Sequence, residues 1–465
     1  MTKIPAFQSF LSNFLENQQI LLPQNPNFQE LATEKRGNFS SNPSIIVLPK
    51  SVEEVAKIIT YCYSHDIPII PQSGNTGLVG GAVAQKEQVI LNSKYLNKLL
   101  DFNETNRSFT CQSGVTLWQA QTYARQHNLM FPLSLPSEKT CTIGGNLATN
   151  AGGIHVLKYG NMRDLTLGLE VVLPNGNIIS DLHVLRKRNI GSDFKHLFIG
   201  AEGILGFICA ASLKLFPKPY RRLHTLVAIE NIPDSIALFT AIQNKLASNL
   251  CAFEIFNQNA VKITLKYNPK ILFPLPTNTA WYVLMSFEIY DSSPTFLQYL
   301  KTTVQKILKT NKYYTSQDDN IWDLRFAIPE SQSAYGISLK HDISLPLSSL
   351  AIFIEENLKT LNQLYPNQIL PIIFGHLGDG NLHFNLSAVN NATIDLKEQK
   401  AKIKNLLVNS VMNYQGSFCA EHGVGLVHKE EFQHFYKNNQ AILMRLLKNT
   451  LDTNNIFNPK KILSE

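Results

Sequence analysis

Three histidines and a glutamate, shared between two short stretches, are the residues of this chain best suited to chemistry. His376 and His383 lie in residues 371–386, PIIFGHLGDGNLHFNL, and Glu421 and His422 stand in the later run EHG. Two imidazoles and one carboxylate form a common ligand set for a catalytic zinc with an open coordination position. His422 is then left over as a candidate base. Turn chemistry has to position the two histidines. Asp-Gly favours a type I′ hairpin, which needs positive φ at both central residues. A two-residue loop at Asp379-Gly380 predicts that Gly378 pairs with Asn381, His376 with His383, and Phe374 with Asn385. Opposed residues share a face, so Phe374, His376, His383 and Asn385 are expected side by side, with opposed Cβ atoms about 5 Å apart.

The first half of the chain offers a different chemistry. Residues 45–48 read as a strand. Ser51 and Glu54 fit a capping box, and Val52, Val55, Ile58, Ile59 and Cys62 follow a helical period. Residues 67–70 form a second strand and lead into PQSGNTGLVGG, residues 71–81. A second glycine-rich loop is TIGGNLATNAGG, residues 142–153. Such loops can bring consecutive backbone N–H groups close to a phosphate. Neither is GxGxxG or a P-loop. Together they could hold one long pyrophosphate-containing cofactor. Residues 170–173, 174–177 and 178–179 read as strand, turn and return, and FIGAEGILG, residues 198–206, is a further glycine-bounded apolar run.

From Tyr220 the pattern changes. Strand-like residues 225–229 and 281–289 alternate with helical residues 233–245 and 294–309, which suits a separate α+β domain with an antiparallel sheet. Arg325, in WDLR, and Lys340, in SLKHDISLP, are cations set among apolar residues. Arginine can grip a carboxylate in bidentate fashion, and lysine supplies a point charge.

Composition narrows the classes. A chain of 465 residues is too long for one hydrophobic core. Its net charge of +7 is scattered, with Arg186-Lys187-Arg188 and Arg221-Arg222 the densest runs, which argues against nucleic-acid binding. Six cysteines without CxxC pairing suit free thiols in a reducing compartment. No apolar run is long enough to span a bilayer. The first residues read as an amphipathic helix, not a signal peptide.

The loops PQSGNTGLVGG, TIGGNLATNAGG and FIGAEGILG resemble the FAD-binding domain of flavoproteins of the vanillyl-alcohol oxidase type. With WDLR, SLKHDISLP, FGHLGDGNLHFN, AEHGVG and the terminal IFNPKKIL, the chain is similar to the FAD-dependent D-2-hydroxyacid dehydrogenases of that family over roughly residues 40–463. The resemblance implies an α+β protein: an N-terminal helical segment over 1–41, a two-part FAD domain over 42–219, a substrate domain over 220–420, and a C-terminal segment, 421–465, returning to the flavin. It implies oxidation of a D-2-hydroxyacid, of the D-2-hydroxyglutarate type, to the 2-oxoacid, with hydride passed to FAD. The first loop lacks histidine, so the FAD is expected to be non-covalent. Ser73, Gly74, Asn75, Thr76, Gly77, Gly144, Gly145, Asn146, Asn150, Gly152, Glu202 and Asn458 are the implied cofactor contacts. His376, His383 and Glu421 are the implied ligands of a divalent metal, zinc being the expected one. His422 is the implied base, and Arg325, Lys340 and Asn385 the implied substrate contacts.

Two departures bear on the substrate. Phe326 follows Arg325 where the family often has Glu, and Pro329 stands where close relatives place a substrate-binding Thr. D-lactate or glycolate dehydrogenation on the same scaffold therefore stays open. So do a flavoprotein with no net redox role, such as the family's ether-lipid synthase, and a metal-binding interaction protein. The electron acceptor could be a quinone, a cytochrome, an electron-transfer flavoprotein or oxygen. A cytoplasmic location is expected, with peripheral contact on a membrane an open alternative.

Overall fold

Ser51 caps the helix Val52–Ser64 by accepting from Glu54 N–H, and Val55, Ile58, Ile59 and Cys62 form its buried stripe, the period of an amphipathic helix. The capping box is not completed. The Glu54 carboxylate accepts instead from Lys50 N–H and the Gln19 amide, at 2.7 and 2.8 Å. The flanking strands Ile45–Val47 and Ile69–Gln72 both run parallel to Val89–Asn92. This computed structural model describes residues 3–34, 37 and 39–463. The expected N-terminal segment thus includes residues outside the described set; within it, the helix Ile4–Ser12 buries Phe7 and Leu11.

The chain divides into two compact units, one of residues 1–153, 160–217 and 421–465, the other of residues 154–159 and 218–420. The first contains a four-stranded sheet, in which Ile20–Leu21 joins the three strands just described, and a five-stranded antiparallel sheet. In the latter, Thr166–Val172 pairs with Ile178–Asp181 through the expected turn, where Gly176 takes φ +86°. The second glycine-rich loop is not wholly irregular, since Ile143–Ala148 forms a short helix. The chain's end belongs to this unit as well: Phe457 bridges Ile69 in parallel, and buried Lys461 donates to the carbonyls of Gly80, Gly81 and Val83.

The second unit is built on an eight-stranded sheet. Strand Trp281–Ile289 is buried along its length, and the period-2 alternation of its side chains separates two cores. Val283, Met285 and Phe287 join a cluster with residues of the helices Ile232–Leu246, Leu347–Leu364 and Leu396–Asn413. Tyr282 and Leu284 join another, with residues of the helices Gln258–Tyr267 and Asp323–Tyr335. Glu254, His376, His383 and Asn385 belong by the same alternation to the second face. Among the described residues no helix is long and apolar enough to cross a membrane, and all six cysteines are free.

Candidate functional site

The histidine hairpin forms, but in a different register from that expected. Strand Ile369–His376 pairs with Asn381–Ala388 so that Phe374, not His376, stands opposite His383, and Ile372 stands opposite Asn385. The turn is longer than a two-residue loop. Leu377–Asp379 forms a 3-10 turn, and Gly380 alone takes the left-handed conformation, φ +80°. Asp379 accepts the Asn381 N–H with its side chain, an Asx turn that competes with type I′ geometry. A Cβ on Gly380 would strike the Leu345 carbonyl. Because the slip is two residues, every side chain keeps its face. His376 and His383 still neighbour each other, with ring centroids 6.0 Å apart.

What lies opposite His376 is Glu254, on strand Leu250–Asn257. Its fully buried carboxylate accepts from His376 Nδ1 at 2.5 Å and from Arg325 Nε at 2.6 Å. Burial alone would raise the Glu254 pKa, but the charges and hydrogen bonds of His376 and Arg325 hold it down to about 2. Arg325 also lies over the Phe374 ring, 4.8 Å from its centroid. His383 has a comparable neighbour, with Nδ1 3.7 Å from Asp342 Oδ1. Metal-bound imidazoles are usually oriented this way, with a carboxylate behind one nitrogen and the other turned to the ion.

The remaining candidates of this unit are placed as follows. Asn385 accepts the His341 N–H and donates to Gln332 Oε1. Lys340 is exposed and donates to Ser333 Oγ at 3.4 Å. Pro329 lies inside the Arg325 helix and cannot donate to the Arg325 carbonyl one turn back. Phe326 is half-exposed and stacks on Trp322. Glu421 opens the final segment of the other unit, directly after Ala420, whose N–H donates to the Asp342 carbonyl.

In the first unit the two glycine-rich loops meet. Ser73 Oγ hydrogen-bonds both Ser93 and Thr142. A Cβ on Gly74 would strike the Thr140 carbonyl, and one on Gly144 would strike Ser113. Gly77 has open space where a Cβ would stand, and Gly145 has only ordinary contacts. Asn146 Nδ2 and Asn458 Oδ1 are buried without a hydrogen-bond partner among the described residues. Open glycine backbone and orphaned buried amides are the lining a polar cofactor would complete, so these residues fit FAD. Asn75 turns its amide to the Thr33 carbonyl, and Asn150 accepts the Arg163 N–H. Glu202 binds the chain: its carboxylate accepts from Val424 and Gly425 N–H at 2.7 and 2.9 Å. Its carbonyl accepts from Asn458. The loop after His422 is thereby anchored within its unit.

Glu254, Asp342 and Gln332 escaped the sequence reading. Glu254 carried a signal, a single acid inside the apolar run LCAFEIFN. Asp342 and Gln332 carried none, because their roles depend on partners distant in sequence.

The chain matches a family model described as an FAD binding domain over residues 43–181, and another described as FAD linked oxidases, C-terminal domain, over residues 218–462. It is 33% identical to the D-2-hydroxyglutarate–pyruvate transhydrogenase of Saccharomyces cerevisiae, covering 98% of this chain and 94% of the relative. It is also 33% identical to the D-2-hydroxyglutarate dehydrogenase of Stutzerimonas stutzeri, covering 92% of each. Among solved structures, p-cresol methylhydroxylase superposes with a TM-score of 0.75 at 18% identity, over 99% of this chain and 96% of that one. An alkyldihydroxyacetonephosphate synthase gives 0.74 at 18% identity, over 98% and 85%; at such identity these two show shared fold alone. With both halves matched and the orphaned amides of the glycine loops suited to the cofactor, the chain belongs to the FAD-linked oxidases, in the α+β fold of the vanillyl-alcohol oxidase flavoproteins.

Proposed function

We propose that the chain oxidises a D-2-hydroxyacid of the D-2-hydroxyglutarate type to the 2-oxoacid while reducing FAD. The observation that carries this reading is the Glu254 carboxylate, which holds Arg325 Nε and His376 Nδ1 together. An arginine bound through Nε keeps its terminal nitrogens for a second carboxylate. An imidazole bound through Nδ1 is oriented as a metal-ligating histidine usually is, with a carboxylate behind one nitrogen. One buried anion thus aligns a carboxylate-binding cation with a candidate metal ligand, and a 2-hydroxyacid needs both at adjacent carbons. The two dehydrogenase and transhydrogenase relatives named above support the substrate class.

In this reading His376, His383 and Glu421 hold a divalent ion, zinc by the nature of the donors. Such an ion would lower the pKa of the substrate's C2 hydroxyl as a Lewis acid. His422 accepts the hydroxyl proton at a ring nitrogen. FAD, when bound, supplies the two-electron acceptor for the C2 hydrogen. It would rest on Ser73, Gly74, Thr76, Gly77, Gly144, Gly145, Asn146, Gly152 and Asn458. Arg325 holds the carboxylate beside C2, and Lys340 a second one. Asn385 keeps one amide hydrogen for the substrate beyond that given to Gln332. Electrons then pass to a quinone, a cytochrome or an electron-transfer flavoprotein.

The test is anaerobic bleaching of the bound flavin by D-2-hydroxyglutarate, D-lactate and glycolate, with and without a chelator. Bleaching by a D-2-hydroxyacid that is abolished by chelation and restored by zinc is expected. His422→Ala is expected to slow bleaching on the order of 10²–10⁴-fold. A flavin indifferent to all three acids would overturn the activity, and indifference to chelation would remove the metal. A preference for lactate over hydroxyglutarate would move the assignment to the rival, as Pro329 permits.

A further inference from the structure

A chain of hydrogen bonds on the Arg325 helix leaves one donor stranded. The His341 backbone N–H can only donate, and it donates to Asn385 at 3.1 Å, so that atom is the Asn385 carbonyl oxygen. The other end of Asn385 is then its amide nitrogen, which faces Gln332 at 2.9 Å. An amide nitrogen can only donate, so the atom of Gln332 that meets it is Oε1. The Gln332 –NH₂ group must therefore point elsewhere. Gln332 is fully buried, and its Nε2 has no hydrogen-bond partner among the described residues. Its orientation follows from a backbone donor rather than from a choice between near-equivalent amide atoms, the usual ambiguity for glutamine.

A buried –NH₂ left without an acceptor is costly, and native structures seldom leave one so. Its placement says which acceptor would serve. Gln332 is seven residues from Arg325 on the same helix, and so on the same face. It adjoins Ser333, which receives Lys340 Nζ. Its partner Asn385 is two residues from His383 on one face of strand Asn381–Ala388. Pro329, one turn before it, has neither a hydroxyl nor an N–H to offer.

We propose that Gln332 Nε2 donates to the far carboxylate of the substrate, sharing it with Lys340, and so makes this chain selective for a dicarboxylic hydroxyacid. The inference rests on the hydroxyacid reading above. A neutral donor beside a single lysine would compensate for the hydroxyl that Pro329 cannot supply.

The experiment compares wild type with Gln332→Met and Gln332→Glu, each loaded with FAD to the wild-type level as a check of folding. Two quantities are read. One is the ratio of kcat/KM for D-2-hydroxyglutarate over D-2-hydroxybutyrate. The other is the affinity of glutarate, which lacks the reacting hydroxyl, followed by perturbation of the flavin absorbance. A hydrogen bond to a charged group predicts that the ratio falls on the order of 10-fold in Gln332→Met. It should fall further in Gln332→Glu, whose carboxylate repels the ligand, and glutarate should weaken in parallel. An unchanged ratio with unchanged glutarate binding would overturn the proposal and leave a resident water as the acceptor. A wild-type flavin that no hydroxyacid reduces would sink the underlying reading and this inference with it.

Discussion

Two glutamates of one sheet, Glu254 and Glu288, show how the same burial can serve different ends. They lie on neighbouring strands, both are fully buried, and both are held at about 2 against the raising effect of burial. Glu288 is saturated. Lys158, Arg222 and Tyr290 donate to it at 2.9, 3.1 and 2.9 Å, and Tyr159 donates as well. His155 and Cys251 come close enough to join it as a three-donor cluster, with ligand atoms within 4.8 Å of one another. Two cations already neutralise that carboxylate, however, so it has little charge left for an ion. Glu254 has two partners, Arg325 and His376, each a group with a second end. The first arrangement is closed on itself and holds Ile154–Tyr159 to the sheet; the second joins two buried groups, each with nitrogens beyond the one it gives to Glu254. A buried carboxylate therefore points to function when its partners have chemistry to spare.

Glu254→Gln strands the buried Arg325 charge and removes the acceptor behind His376, which should cost on the order of 3–5 kcal/mol. Urea unfolding measures that cost. On the metal reading proposed above, metal content per folded chain should fall too, and an unaltered metal content would reduce Glu254 to a structural ion pair. Glu288→Gln should cost less, on the order of 3 kcal/mol, since Lys158 and Arg222 are partly exposed. Flavin reduction per folded molecule should change little. The acid limb gives the sign for Glu288. Its folded pKa is depressed, so its contribution is present above about pH 4.5 and is lost as pH falls toward 2. Glu288→Gln should flatten acid unfolding across that window.

Glu202, in the other unit, has backbone N–H groups where those two glutamates have side-chain cations. Burial raises its pKa to about 7, only partly offset by two backbone N–H groups and the Lys461 charge. Its folded pKa is raised, so its contribution is complete below about pH 4.5 and is lost as pH rises through about 7. A decline in stability with rising pH is expected across that window. Glu202→Gln should remove it, and thermal unfolding at a series of pH values would read the difference. A wild-type stability that rises between pH 5 and 7 would contradict the assignment.

Patterns that depend on neighbours in sequence were legible without coordinates. The apolar stripe of Val52–Ser64, the strand Trp281–Ile289 and the Thr166–Val172 hairpin follow from periodicity and turn residues, which act over a few positions. The glycine loops and the HLGDGNLH stretch were equally visible, because their residue types are costly to place without a purpose. The partner of His376 was not. It is Glu254, 122 residues away, and only sheet order brings them face to face. The hairpin register was misread for a related reason. The Asp379 side chain competes for the turn, and the Leu345 carbonyl crowds Gly380 from a different segment. Sequence alone determined which groups were available and on which face of each strand they would stand, since alternation is a local property of the backbone. Tertiary structure decided which of those groups meet and which donor is left over, because hydrogen-bond satisfaction is settled among segments that only folding brings together.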